Sequence, residues 1–173
     1  MDNKLHTCCF FGHRRIEKTP ELTEKLKKIV EDLIVSRGVH TFLFGSKSEF
    51  NSLCLRVVTE IKTKYPHIKR VYVRAGYPDI SDCYKEYLLE CYEETYFLEK
   101  IRCAGRAAYV ERNQEMINQS QFCVVYYDKA YLPPPKKYGK GVFREVQPKS
   151  GTGIAYAYAV QQKLQIINVI LQE

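Results

Sequence analysis

Short apolar runs alternate with helical stretches along this 173-residue chain, and that alternation constrains its fold more than any other feature. Leu5–Phe11, His40–Phe44, Ile68–Arg74, Phe122–Tyr127 and Leu164–Leu171 each read as buried strands. Helices separate them. Pro20–Ser36 has Thr19 as N-cap, Pro20 at its first position and Gly38 as its stop. Glu49–Tyr65 gathers Leu53, Val57, Val58 and Ile61 on one face and meets Pro66 just beyond its end. A third helix starts near Arg106 and ends at Asn118-Gln119-Ser120, and a fourth covers Ile154–Lys163. Strands joined through helices pair in parallel, because a parallel pair needs a crossover rather than a hairpin. The expected fold is therefore α/β: a Rossmann-like three-layer sandwich with a mostly parallel sheet, spanning 1–173 as one domain. Ser81–Gly105 is acidic and rich in tyrosine, and it gives no readable period.

In open parallel sheets, ligands bind beyond the carboxyl ends of the strands. Three polar turns fall on that edge: Gly12-His13-Arg14-Arg15, Gly45-Ser46-Lys47-Ser48 and Ser150-Gly151-Thr152-Gly153. The last opens a helix, whose unpaired N–H groups and dipole favour an anion. Gly151 and Gly153 admit a ligand to the backbone there, and Thr152 adds a hydroxyl or serves as N-cap. His13 is either a tunable base or phosphate donor, or a hydrogen-bonding group across its turn. Arg14 suits a phosphate because a guanidinium fork matches an oxyanion, whereas Arg15 faces solvent. Arg112 and Asn113, on the helix before the fourth strand, are candidates to face the ligand; the alternative for Arg112 is a surface charge. Ser46, Ser48 and Asn51 form a polar rim or cap the second helix. Asp128 binds ribose or makes a turn, Tyr77 and Tyr84 are candidate base-stacking residues, and only one of Tyr156 and Tyr158 can face the pocket.

The net charge of +7 is unevenly placed. Between 129 and 149, six basic residues (Lys129, Lys136, Lys137, Lys140, Arg144, Lys149) stand against Glu145 alone. Pro133-Pro134-Pro135, Gly139 and Gly141 make this segment a loop, read as a lid, a solvated insertion or a nucleic-acid-binding arm. Tyr131, Tyr138 and Phe143 are its aromatic residues. Seven cysteines include no CxxC pair and read as reduced thiols in a cytoplasmic protein. A zinc site from Cys83, Cys91 and Cys103 lacks the spacing of known zinc knuckles, and no metal or cofactor is expected. Neither a signal peptide nor a membrane span is expected.

Cys8-Cys9-Phe10-Phe11-Gly12-His13-Arg14 resembles the strand and Gly-His-Arg signature of the YpsA-related branch of the SLOG superfamily, which also holds the Lonely Guy and DprA proteins. Phe42-Leu43-Phe44-Gly45-Ser46 through Phe50-Asn51 to Lys64-Tyr65-Pro66-His67-Ile68 is similar to its second strand-helix unit. Tyr109–Met116 resembles its arginine-bearing helix, and Ser150-Gly151-Thr152 its Gly-Gly-Thr turn. The resemblance implies a Rossmann-like fold that binds nucleotides or nucleotide-derived ligands, as a homodimer or higher homo-oligomer. It implies a ligand set of Gly12, His13, Arg14, Gly45, Ser46, Asn51, Arg112, Asn113, Ser150, Gly151, Thr152 and Gly153. Two departures matter. Ala155 stands where Lonely Guy enzymes carry a glutamate, and Ser150 replaces the first glycine of the turn. Glycoside cleavage needs a carboxylate or an activated water, so the alanine favours binding over hydrolysis.

The expected function is binding of a nucleotide-derived small molecule (ADP-ribose, cyclic ADP-ribose, NAD or a nucleoside phosphate) by a sensor or sequestering protein. The first alternative is an N-glycoside or phosphate hydrolase using His13 or Glu115. The second is single-stranded nucleic-acid binding through the basic loop.

Overall fold

The computed structural model describes residues 3–76, 79–98, 105–133 and 149–170, together with the backbone of 136–137 and 145–146. A single 3-10 turn, Asn3–His6, leads into β1, Thr7–Gly12. The elements that follow are α1 (Pro20–Val35), β2 (Thr41–Phe44), α2 (Glu49–Lys62), β3 (Lys69–Arg74), α3 (Asp82–Cys91), β4 (Glu94–Phe97), α4 (Arg106–Asn118) and β5 (Phe122–Tyr126). Two short strands, β6 (Lys136–Lys137) and β7 (Glu145–Val146), precede α5 (Gly151–Gln161) and β8 (Gln165–Asn168).

Six strands form one sheet in the order β4-β3-β2-β1-β5-β8, and every neighbouring pair is parallel. This is the Rossmann-like α/β sandwich. The chain winds outward from β1 to β4, then crosses back to place β5 on the other side of β1. The winding direction reverses between β1 and β5, and a crevice opens at the carboxyl ends of such a pair. The sheet edge that carries Gly12 and Tyr126 is that place, since these two residues are register partners.

Strand pleating divides the core in two. Cys8 and Phe10 face one layer, where Leu26, Val30 and Leu33 of α1 and Phe50, Leu53 and Val57 of α2 pack with Leu88 of α3. Cys9 and Phe11 face the other, with Met116 and Ile117 of α4 and Ala155 and Ala159 of α5. Phe10 lies 5.1 Å from Phe44 and 5.9 Å from Phe42, ring centroid to ring centroid, in a stack with no solvent exposure above 1%. Cys8, Cys54 and Cys123 are fully buried thiols; burial raises the first two, and a sulfur contact with Cys9 together with burial raises the third.

Several expectations are corrected. Ser81–Gly105, for which the sequence offers no assignment, contains α3 and the edge strand β4. The first strand begins at Thr7 rather than Leu5, because Asn3–His6 coils. The basic segment expected to be loop throughout carries the antiparallel ladder of β6 and β7. The last helix starts three residues early, at Gly151, because Ser150 and not Thr152 is its N-cap: Ser150 is extended and its Oγ accepts the Gly153 N–H at 2.9 Å. Among the described residues, no group of histidine, cysteine or carboxylate side chains is arranged to hold a metal ion, and no helix is long and apolar enough to cross a membrane. Cys103 and Tyr77 lie outside the described residues.

Candidate phosphate site at the carboxyl edge

All three polar turns gather on the carboxyl edge, as the connectivity requires, but their residues do different work. The β2 turn meets α4. Arg112 is 4% exposed and its Nη1 donates to the Gly45 carbonyl. Its Nε and Nη2 donate to Asn113 Oδ1 at 3.2 and 2.9 Å, and the guanidinium lies 5.4 Å from the Tyr109 ring centroid. Asn113 thus orients the arginine. Burial pushes the Arg112 pKa down to about 10, while Tyr72 and Tyr109 oppose the shift. No carboxylate among the described residues pairs with Arg112. An unneutralised buried cation is costly, and an anion would relieve the cost. Gly45 is required by this contact: a Cβ there would stand 2.8 Å from Arg112 Nε and 2.9 Å from Met116 Sδ.

Around the start of α2, Ser48 is the N-cap and accepts from Asn51 N–H at 3.2 Å and from Asn51 Nδ2 at 3.3 Å. Asn51 Nδ2 also reaches the Phe10 carbonyl at 3.4 Å. Its Oδ1 is buried without a hydrogen-bond partner among the described residues. Ser46 Oγ accepts the Ser48 N–H at 3.2 Å and so shapes the turn. The Arg14 carbonyl takes the Glu49 N–H at 2.9 Å, and Glu49 Oε2 takes the Ile16 N–H at 2.9 Å. This leaves the side chains of Arg14 and Arg15 exposed above the first turn.

At the crevice between β1 and β5, His13 is 4% exposed, and its Nε2 accepts the Asp128 N–H at 3.0 Å. That bond places the ring proton on Nδ1 and occupies the lone pair a general base would use. Burial lowers the His13 pKa, with Asp128 opposing. Three tyrosines surround the ring: Tyr131 at 4.3 Å and Tyr126 and Tyr127 each at 6.1 Å between centroids. Asp128 is a turn residue, its Oδ1 accepting the Ala130 N–H at 2.8 Å.

The sign of the His13 shift sets a pH window. A base whose folded pKa is depressed stabilises the fold in full above its unfolded value of 6.5, and loses that contribution as pH falls toward the lower folded value. His40, also lowered by burial, acts in the same direction at the opposite edge. Melting temperature should fall from pH 7 to pH 5. His13→Gln, which offers an amide oxygen near the Nε2 position, should make that fall shallower; parallel curves would exclude the histidine as its source.

The third turn joins the crevice through Tyr127, whose ring would lie 3.4 Å from a Cβ at Gly153 and stacks on Tyr156 at 4.7 Å. Asn168 clasps the same residue, Oδ1 accepting the Tyr127 N–H at 3.2 Å and Nδ2 donating to its carbonyl at 2.8 Å. Tyr156 therefore belongs to the carboxyl edge, and Tyr158 donates to Asn118 of α4 at 3.0 Å. Thr152 is buried one position after the exposed Gly151 at the helix start. Ala155 is buried against the sheet. Glu115 lies elsewhere, accepting from Gln119 Nε2 at 3.2 Å, and Gln119 in turn accepts from Tyr96. Tyr84 stacks with Tyr87 on α3.

Sequence reasoning passed over Tyr126, Tyr127 and Asn168, and took Tyr131 only as an aromatic of the basic loop. A tyrosine pair at the end of a strand facing Gly-His-Arg is the signal that would have found the first two.

No family model matches the chain, and no curated protein matches it in sequence. Among solved structures, DNA processing protein A from Helicobacter pylori, known for a single-stranded DNA binding mode, is similar with a TM-score of 0.57 and 11% identity. The match covers 95% of this chain and 65% of that one, and at this identity it carries the fold alone.

Proposed function

We propose that this chain is a single SLOG-type domain that binds the phosphate of a nucleotide at the carboxyl edge of its sheet. One observation carries the reading: Arg112 is buried, positioned by Gly45 and Asn113, and lacks a carboxylate among the described residues. The start of α5 supports it, because Ser150 caps Gly153 and leaves the Gly151 and Thr152 N–H groups at the positive end of the helix. Arg14 is exposed beside the same crevice. Binding is supported over turnover by the three residues that hydrolysis would need. The His13 Nε2 lone pair is occupied, Glu115 is engaged with Gln119, and Ala155 has no acid. A sensor or a sequestering protein fits a site of this kind.

A second reading has the phosphate arriving as part of a single strand of DNA. The fold likeness to DNA processing protein A favours it, as do exposed Arg14, Arg15 and Tyr131 on the same edge.

Thermal shift with AMP, ADP-ribose and NAD, beside oligonucleotide titrations at several salt concentrations, separates the two. A free-nucleotide site raises the melting temperature with concentration, by about 2.7 kcal/mol in stability at a hundred times Kd. A strand site gives oligonucleotide binding whose log affinity falls by roughly 0.7 per neutralised phosphate for each log unit of salt. Oligonucleotide binding alone would install the second reading; binding of neither would remove both.

A further inference from the structure

Resting on the nucleotide-phosphate reading, we propose that Tyr131 is the platform on which a nucleobase stacks. Tyr131 follows directly from β5 through a tight turn: its N–H donates to the Asp128 carbonyl at 3.2 Å, and Asp128 Oδ1 holds the Ala130 N–H. The turn lays the Tyr131 ring on His13, 4.3 Å between centroids at an interplanar angle of 36°. His13 is itself fixed, 4% exposed and bonded to the Asp128 N–H, so the tyrosine rests on a rigid support. Yet Tyr131 is 41% exposed. An aromatic ring held against a fixed neighbour while much of its surface stays exposed suits an unstacked base, and it loses little side-chain entropy on binding.

Its location matches the rest of a nucleotide. The same histidine lies 6.1 Å from Tyr127, and Tyr127 borders Gly153 at the start of α5. From Tyr131 the contacts lead through His13 and Tyr127 to the anion-favouring helix start, two aromatic residues away, with Tyr127 as a floor for the sugar. Stacking uses the face that every base presents, so the surface accepts any base and discriminates bases weakly. His13 is a positioning residue in this arrangement and touches no ligand atom.

The test compares ligands that differ only in the base. One pair is AMP and ribose 5-phosphate; the other is a ten-residue dT strand and an abasic strand of equal length. Wild type should bind the base-bearing member of a pair more tightly, and Tyr131→Ala should lose about 5- to 150-fold of that affinity, falling to the level of the base-free member. Tyr131→Phe should retain the difference, and the melting temperature of each variant separates lost stacking from lost folding. A Tyr131→Ala protein that stays folded and still prefers the base-bearing ligand overturns the platform while leaving phosphate binding intact. Failure of wild type to bind any of the four removes the phosphate site and the platform together.

Discussion

Replacing Arg112 with methionine should cost the unliganded protein no more than about 3 kcal/mol, while weakening nucleotide binding by at least about 30-fold. The two halves have one cause. The guanidinium is 4% exposed and faces a carbonyl, an amide and an aromatic ring instead of a carboxylate. Its pKa falls from 12.5 to about 10 because burial disfavours the charged form. For a base with a depressed folded pKa, stability is present above the unfolded value and lost as pH falls through the folded one. At neutral pH, far below 10, the full cost is therefore in force, on the order of 3 kcal/mol. Methionine removes the buried charge and nearly fills the volume. The offsetting losses are the hydrogen bonds to the Gly45 carbonyl and to Asn113 Oδ1, each partner worth about 1.5–3 kcal/mol when the donor is charged. Urea unfolding with and without AMP reads both terms. A large drop in unliganded stability, or unchanged affinity, takes Arg112 out of the site.

Which features were legible in the sequence follows from how they are buried. The five strands recognised from sequence lie in the sheet: β1, β2 and β5 bury most of their side chains, β3 buries half, and β8 is an edge strand that still carries the apolar pair Ile166-Ile167. β4 is an edge strand with no fully buried residue, and α3 buries Leu88 alone, so neither imposes an apolar period on Ser81–Gly105. The turns could be assigned to one edge because alternation forces parallel strands, and parallel strands end on the same side. Side-chain roles within the turns were not legible, since their partners are distant in the chain. His13 meets an amide 115 residues away, and Arg112 meets a carbonyl 67 residues away. Ser150 and Thr152 both suit an N-cap by composition, and only backbone geometry selects the serine.

Gly12 shows the same limit at the largest energetic scale. The resemblance puts it in the ligand set as part of the Gly-His-Arg turn, and the structure sets it against Phe50 of α2. A Cβ at Gly12 would fall 2.3, 2.4 and 2.5 Å from Cδ1, Cγ and Cβ of Phe50. Phe50 cannot step aside. It is fully buried, its ring lies 5.7 Å from Tyr126, and the backbone beside it is held by the Ser48 cap and the Glu49 bond to Arg14. Gly12→Ala must therefore displace the start of α2 from β1, at a cost of about 3 kcal/mol, the upper end of the range for overpacked cores. Phe50→Ala alone should cost about 3–5 kcal/mol through the cavity it leaves. In the double variant the new methyl group occupies part of that cavity, so the two costs should fall short of additivity by more than about 1 kcal/mol. Additive losses would separate the two residues. A stable Gly12→Ala protein with weakened nucleotide affinity would return Gly12 to the ligand. Coupling to Phe50 would instead assign it to the packing that holds His13, and with it Tyr131, at the edge of the crevice.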